Sequence, residues 1–432
     1  MSICSHSVRA VCAASWLIAA SVPMVHAQSF PSGKAFDLTV GVNSTYNVTT
    51  DTLSGGTISN IVGTNTLQGL KDQITDAGLS QINGSYSPTG AATIRAGYRG
   101  LPIVLDTAAG STAVTLNIPA ISLNKSFSAK ATRDDNIKDM FDYLKSSGGD
   151  ILNQLQQKLA KLSPIDPIAG NPSSMQSRMV SDDFDRNFTG FASNIKAADT
   201  NATGGSNNLI GVGLSLASMS VGGVNTQTTT LPLSYTVRND LDPRKQFSMY
   251  LPISSSDTAG AKTYGANIGG AYRFPVNDEW ALTPAFGYGV TGSEDLGSGA
   301  SMMAASLTSQ YSIKMDGFDL AIGNMIGIYK STRLNAGDYS VDPQINNTVY
   351  RNGILASYPV TTFGQKMALE ASYIITNYTG TDLYSNMYQE IGLTLGTNKS
   401  ANSARTYMRV GVTYLTGENG ITGYKLNFGY WF

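Results

Sequence analysis

Tyr424-Lys425-Leu426-Asn427-Phe428-Gly429-Tyr430-Trp431-Phe432 alternates without a break. Successive side chains of an extended strand point to opposite faces. Tyr424, Leu426, Phe428, Tyr430 and Phe432 therefore share one face, and Lys425, Asn427, Gly429 and Trp431 the other. The pattern recurs upstream. Met408, Val410, Val412 and Tyr414 alternate with Tyr407, Arg409, Gly411 and Thr413, and Ile391, Leu393 and Leu395 with Glu390, Gly392 and Thr394. Met367, Leu369, Ala371, Tyr373 and Ile375 alternate with Lys366, Glu370 and Ser372. Further apolar rows are Leu320/Ile322/Ile326/Ile328, Trp280/Leu282/Phe286/Tyr288 and Phe247/Met249/Leu251/Ile253. About twelve such segments fit between Asn207 and Phe432.

The connections alternate as well. One set consists of tight polar turns (239–244, 277–279, 315–317, 361–365), and the other of longer loops (254–262, 291–299, 331–346). An even number of roughly ten-residue amphipathic strands, joined by short turns at one end and longer loops at the other, is the pattern of a membrane barrel. Tyr and Trp near strand ends fit belts at the headgroup level better than they fit a soluble sandwich. A strand closing on an aromatic residue resembles the C-terminal strand of bacterial outer-membrane barrels. That resemblance implies that Tyr424, Leu426, Phe428, Tyr430 and Phe432 form the signal read by the barrel-assembly machinery, with outer-membrane lipids as the surrounding partner. The expected fold class is an all-β membrane barrel of about 12 antiparallel strands, preceded by an α+β extramembrane region with two amphipathic helices.

Composition narrows the chemistry. The 432 residues carry 29 Lys+Arg against 30 Asp+Glu, only 14% charged, with 45 Gly and 22 Tyr. A soluble enzyme is nearer ~25% charged. Cys4, Cys12, His6 and His26 all precede residue 28. Arg9, the apolar run Ala10–Val22, Pro23 and the small-x-small site Val25-His26-Ala27 read as a secretory signal peptide over 1–27. Its removal leaves no histidine and no cysteine, and hence no thiol nucleophile, His-assisted serine or His/Cys zinc site. The expectation is no enzyme, no cofactor and no metal. A nearly neutral chain also gives no footprint for nucleic acid.

Upstream of the barrel the pattern changes. Residues 28–133 read as a β-rich N-terminal domain, with strand-like alternation over Phe36–Thr49 and Ala113–Ser128 and helical spacing over Thr66–Ala77. Residues 134–163 read as two amphipathic helices. The first presents Ile137, Met140, Phe141 and Leu144, and the second Ile151, Leu152, Leu155, Leu159 and Leu162. Residues 164–206, rich in Pro, Ser, Asn, Asp and Gly, read as a linker ahead of the barrel at 207–432. Within that linker Asp182-Asp183-Phe184-Asp185 lacks the glycine and distal glutamate of a calcium loop and reads as a solvated acidic loop. Leu105-Asp106-Thr107-Ala108 resembles the aspartic-protease loop, but Ala108 stands where glycine is required.

Alternation places Arg273, Lys314, Lys366, Glu370, Glu390, Arg409 and Lys425 toward the lumen, with glycines at 265, 269, 287, 289, 323, 327, 392 and 411. These glycines either leave room for something inside or relieve crowding in a twisted sheet. Signal peptide, extramembrane region, helices and C-terminal barrel together resemble the autotransporters, whose barrel exports an upstream passenger through its lumen. The resemblance implies an outer-membrane protein that displays or holds its N-terminal domain at the cell envelope. A passive porin-like channel and a barrel anchoring a periplasmic domain stay open as alternatives. In either place the N-terminal domain is the surface left for a protein partner. With an even strand number both barrel ends share a side, so the N-terminal domain stays on that side unless the linker threads the pore.

Deleting Trp431 and Phe432 is expected to leave export from the cytoplasm intact and to impair assembly. The readout is loss of heat-modifiable gel migration and of recovery in the outer-membrane fraction.

Overall fold

The computed structural model describes residues 30–146, 148–188, 208–239, 242, 244–336, 339–397 and 407–431; the expected signal peptide and Phe432 lie outside them. Residues 209–431 form a closed antiparallel barrel of twelve strands. In order they are Leu209–Val221, 224–238, 246–258, Ala261–Pro275, Trp280–Ser293, Ser298–Lys314, Asp319–Thr332, Asn346–Thr362, Gln365–Gly380, Met387–Thr397, Tyr407–Gly417 and Thr422–Trp431. The ring closes where the first strand pairs with the last, from Gly211 opposite Trp431 to Ser220 opposite Thr422. The second strand is interrupted once, at Pro232, and the third at Leu251-Pro252. Proline cannot donate to the ladder and bends the strand that holds it. The Pro232 carbonyl still accepts from the Gly213 amide at 3.0 Å. A Cβ at Gly213 would come within 2.8 Å of the Pro232 ring, so only glycine fits beside the bend.

The rim where the first strand begins and the last ends is termed here the terminal rim, and the opposite one the distal rim. The turns 276–279, 315–318 and 363–364 lie at the terminal rim, and the connections 222–223, 259–260, 294–297, 333–345, 381–386 and 418–421 at the distal rim. Two distal loops are shorter than the sequence suggested. The stretch 254–262 pairs as far as Thr258 opposite Ala261 and turns only on Ala259 and Gly260, both at positive φ. The stretch 291–299 likewise reduces to 294–297. Serines and threonines that look like loop residues are strand here because they hydrogen-bond across the inner wall, Thr226 to Thr258 at 3.1 Å and Thr228 to Ser256 at 2.9 Å.

The N-terminal domain is an antiparallel sheet built on Phe36–Val42, Ala92–Tyr98, Leu101–Thr107, Val114–Ile118 and Leu123–Phe127, with short edge strands. Phe36, Leu38, Val40, Ile94, Leu105 and Leu116 form its inner face. Two expected strands end earlier than their alternation, because Asn43 and Ser122 take left-handed backbone and turn the chain. The expected helix over 66–77 divides into α1 (Leu67–Gln73) and α2 (Asp76–Ile82). The Thr66 and Thr75 hydroxyls accept from the Gly69 and Gly78 amides, so each helix starts on its own N-cap. Helices α3 (Arg133–Ser146) and α4 (Gly148–Leu162) follow, and Ile137, Met140, Leu155 and Leu159 complete the core.

The stretch read as a linker is a helix over part of its length. Ser174 caps α5 (Met175–Asp185), which runs down the inside of the barrel. Asp182–Asp185 are therefore the end of a lumenal helix and not a solvated loop; residues 189–207 lie outside the described residues.

Arg133 is fully buried and donates to the Tyr86 hydroxyl and to the carbonyls of Ser87, Gly90 and Ser111 at 2.9–3.1 Å. Arg133→Met strands those acceptors without a donor and is expected to destabilise the N-terminal domain by about 2–4 kcal/mol. The measure is a lower urea midpoint for protease cleavage within residues 30–162, at unchanged barrel heat-modifiability.

Candidate functional site

The lumen is the site with organised chemistry, and its wall has two characters. Along the first four strands the inward residues are hydroxyls and amides such as Thr226, Thr228, Ser254, Ser256 and Asn267. Along the sixth to ninth strands they include Ala300, Met302, Ala304, Ala321, Met325, Leu355 and Ile374. Helix α5 matches this division. Met175, Met179, Val180 and Phe184, with Phe188 just beyond, pack into the apolar half, while Arg178, Ser181, Asp182 and Arg186 face the polar half. Inward glycines make the fit. A Cβ at Gly289 would lie 2.7 Å from the Met179 sulfur, and one at Gly323 2.5 Å from the Phe188 ring. At Gly353 it would lie 2.7 Å from the same ring. Of the two roles weighed for the lumenal glycines, these positions serve to admit the helix. Gly392 and Gly411 face wall side chains instead, Ser372 and Thr394.

Polar contacts fix the helix's register. The Asp183 carboxylate accepts from Tyr250 and Tyr329 at 2.7 Å each and from Ser306 at 3.1 Å, three hydroxyls on three strands. Gln176 donates to Asn347 at 2.9 Å, and the Ser177 and Tyr378 hydroxyls meet at 3.1 Å. Arg351, fully buried in the eighth strand, reaches Asp185 at 3.1 Å and Glu390 at 2.6 Å, with its guanidinium over the Phe184 ring. Charged hydrogen bonds of this kind are about twice as strong as neutral ones.

Of the lumen residues expected from alternation, Glu370, Glu390 and Arg409 are buried inside. Arg409 pairs with Glu370, and Lys425 reaches Glu390 at 3.3 Å. Arg273 is half-buried and donates to Gln310 at 3.2 Å. Lys366 and Lys314 are exposed at the terminal rim, because the strand runs past the lumen there. Arg351 and all of α5 were missed in the sequence. The helical signal exists in Ser174 and the 175/179/184 spacing, but three Asp within four residues and the surrounding Pro/Ser/Asn hid it. Among the described residues no group of His, Cys, Asp and Glu could hold a metal ion.

The N-terminal domain sits on the distal rim. Val224 and Ala261, the distal ends of the second and fourth strands, and Leu296 of the 294–297 connection join its core, and Tyr98 donates to the Leu296 and Gly297 carbonyls at 3.2 and 3.1 Å. The Leu67 amide donates to the Asp295 carbonyl at 2.7 Å, and the Asp342 backbone amide donates to the Asn153 side-chain oxygen at 2.7 Å. Between α4 and α5 the chain forms a buried strap. There the Asp166 carboxylate accepts from the Ile168 and Ala169 amides and from Arg99 of the domain at 2.9 Å. Burial pushes the Asp166 carboxyl above its ordinary value, and the Arg99 guanidinium holds it back.

Outside, the barrel is apolar. Leu214, Met249, Ile268, Leu307, Ile354, Leu393 and Val412 face outward and are exposed, as are Tyr424, Leu426, Phe428 and Tyr430 of the last strand. Aromatic rings bound this band, with Tyr235, Phe274, Trp280, Tyr311, Tyr358 and Tyr430 toward the terminal rim and Tyr264, Tyr288, Tyr350, Tyr414 and Tyr424 toward the distal rim. Only a closed barrel can expose such a surface to lipid while satisfying its backbone. The protein is an outer-membrane β-barrel. No family model and no curated protein matches the sequence. Solved structures with a similar fold include the β-domain of the Bordetella autotransporter Brka (14% identity, TM-score 0.41, 52% of this chain and 98% of that one). Others are the translocator domain of autotransporter NalP from Neisseria meningitidis (13%, TM-score 0.43, 60% and 94%) and the COG4313 outer membrane channel from Pseudomonas putida F1 (12%, TM-score 0.37, 55% and 98%).

Gly323→Leu drives a side chain into the position of the Phe188 ring, and Asp183→Leu leaves three buried hydroxyls without their acceptor. Each is expected to loosen α5 by roughly 3 kcal/mol or more. The measure is trypsin cleavage at Arg178 and Arg186 in the folded barrel, absent in the parent chain.

Proposed function

We propose that the barrel carries its N-terminal domain across the outer membrane and holds it at the cell surface, with α5 left in the lumen as the connection. The single observation behind this reading is the course of the chain: a domain seated on the distal rim is joined through the lumen to a first strand that starts at the terminal rim. A C-terminal strand like that of the outer-membrane barrels it resembles would end in the periplasm, which turns the distal rim outward. Under this reading the barrel-assembly machinery recognises Tyr424, Leu426, Phe428, Tyr430 and Phe432, and the exposed faces of the N-terminal domain meet a protein partner outside the cell. The role is architectural. The chain beyond residue 27 has neither His nor Cys to carry catalysis, and ester or peptide hydrolysis by the purified chain, lost on one Ser or Asp substitution, would contradict this.

Placement is tested by inserting an epitope between Ala109 and Gly110, in an exposed turn of the domain. Antibody is expected to label intact cells. Labelling only after permeabilisation would make the domain periplasmic and the barrel its anchor.

A further inference from the structure

The lipid-facing wall carries a polar island. The seventh strand turns Ile322, Asn324 and Ile326 outward and the eighth Tyr350, Asn352 and Ile354, all of them exposed. Asn324 and Asn352 stand directly opposite each other in the ladder, with Ile322 and Ile354 paired on the terminal side and Ile326 and Tyr350 on the distal side. Two carboxamides thus lie side by side within the apolar band. Other polar groups of the same row are answered from their own wall. Ser309, opposite Asn324 on the sixth strand, accepts from the Trp280 indole at 2.9 Å, and Gln389 accepts from the Tyr373 hydroxyl at 2.8 Å. Among the described residues neither the Asn324 nor the Asn352 side chain has a hydrogen-bond partner. A bond between the two would use one of their four N–H groups and leave the rest facing hydrocarbon. Lipid chains offer no acceptor, so unanswered amides at this depth are strongly disfavoured.

We propose that this face of the seventh and eighth strands is the contact between two copies of the chain in the membrane, the amides of each copy answering those of the other. A carboxamide both donates and accepts, so the patch is complementary to itself. Copies inserted in the same orientation are related by a two-fold axis along the membrane normal, an arrangement in which residue i meets j and j meets i. Directly opposed residues of neighbouring strands have Cβ atoms ~5 Å apart. With strands tilted by about 40°, such a pair differs in depth by only about 3 Å. Asn324 of one copy therefore comes level with Asn352 of the partner subunit, and the reverse, which closes two reciprocal amide pairs within a surround of isoleucine and tyrosine. Hydrogen bonds between otherwise apolar surfaces hold transmembrane segments together in the same way. A foreign partner would need its own amides or hydroxyls at this depth, whereas a second copy supplies them by symmetry. The contact does not depend on which side of the membrane the N-terminal domain occupies, so its failure leaves surface display standing, and the reverse.

The test compares the full chain with one carrying both Asn324→Leu and Asn352→Leu. Leucine suits a lipid-facing wall, so the double variant should assemble with unchanged heat-modifiable migration. A photoreactive benzophenone side chain is placed at Ile354, beside the amides, and in a separate chain at Val412, exposed on the eleventh strand. Irradiation of outer membranes is expected to give an adduct of twice the chain's mass from Ile354 and none from Val412. The adduct from Ile354 should disappear when both leucines are present. In liposomes, counting labelled subunits by stepwise photobleaching over a range of lipid dilutions should show a parent dimer whose dissociation constant rises at least tenfold in the double variant. A parent chain that is monomeric at every dilution, or a dimer indifferent to the two leucines, would overturn the proposal. An adduct from Ile354 to a different protein, with none to a second copy, would overturn the choice of partner.

Discussion

An apolar surface inside a water-accessible barrel cannot be left bare, and the arrangement of this protein follows from covering it. The sixth to ninth strands present alanine, methionine, leucine and isoleucine to the lumen, where a water-filled pore would carry polar groups. Met175, Met179, Val180, Phe184 and Phe188 supply the other half of a hydrophobic core enclosed within the barrel. Because the helix lies against one side, its polar face is turned to the opposite side, where the wall is largely threonine, serine and asparagine. The inward glycines, the three hydroxyls on Asp183 and the Arg351 pairings are all details of seating one amphipathic helix in one amphipathic ring.

The barrel was legible because its signal is local. Outward rows such as Met408/Val410/Val412 and Phe247/Met249/Leu251 repeat with period two over a dozen strands, and lipid on one side enforces that repetition. The N-terminal helices were legible for a related reason, since Leu155 and Leu159 face a core made by their own domain. Helix α5 was not. Its neighbours are wall residues far along the chain, from 67 positions (Tyr250 to Asp183) to 201 (Tyr378 to Ser177), so a short stripe of methionine and phenylalanine among aspartates had no visible partner in the sequence. The acidic run looked solvated for the same reason: the hydroxyls of Tyr250, Ser306 and Tyr329 that donate to the buried Asp183 are scattered over three strands. Lumen charges fell between these cases. Alternation gave their side, while their partners, and the fate of Lys366 at the rim, depended on strand ends that alternation does not define.

Domain, strap and helix behave as one inserted piece. The domain's core borrows Val224, Ala261 and Leu296 from the distal rim, the strap is tied to the domain through Arg99, and α5 is tied to the wall through Asp183 and Asp185.

The seam between Gly211–Ser220 and Thr422–Trp431 turns this piece into a topological link. A chain that enters a ring at one rim and becomes part of the ring at the other is threaded like a cord through an eyelet, and a folded domain on the free end acts as the knot. The domain rests on several distal connections at once, so it is wider than the passage α5 occupies. It cannot pass through the closed eyelet while folded. Either the ring closes around α5 with the domain already beyond it, or the domain crosses as an extended chain and folds afterwards. In both histories the last folding event is irreversible in a mechanical sense, and pulling on the domain from outside would tighten the thread against the ring before releasing it.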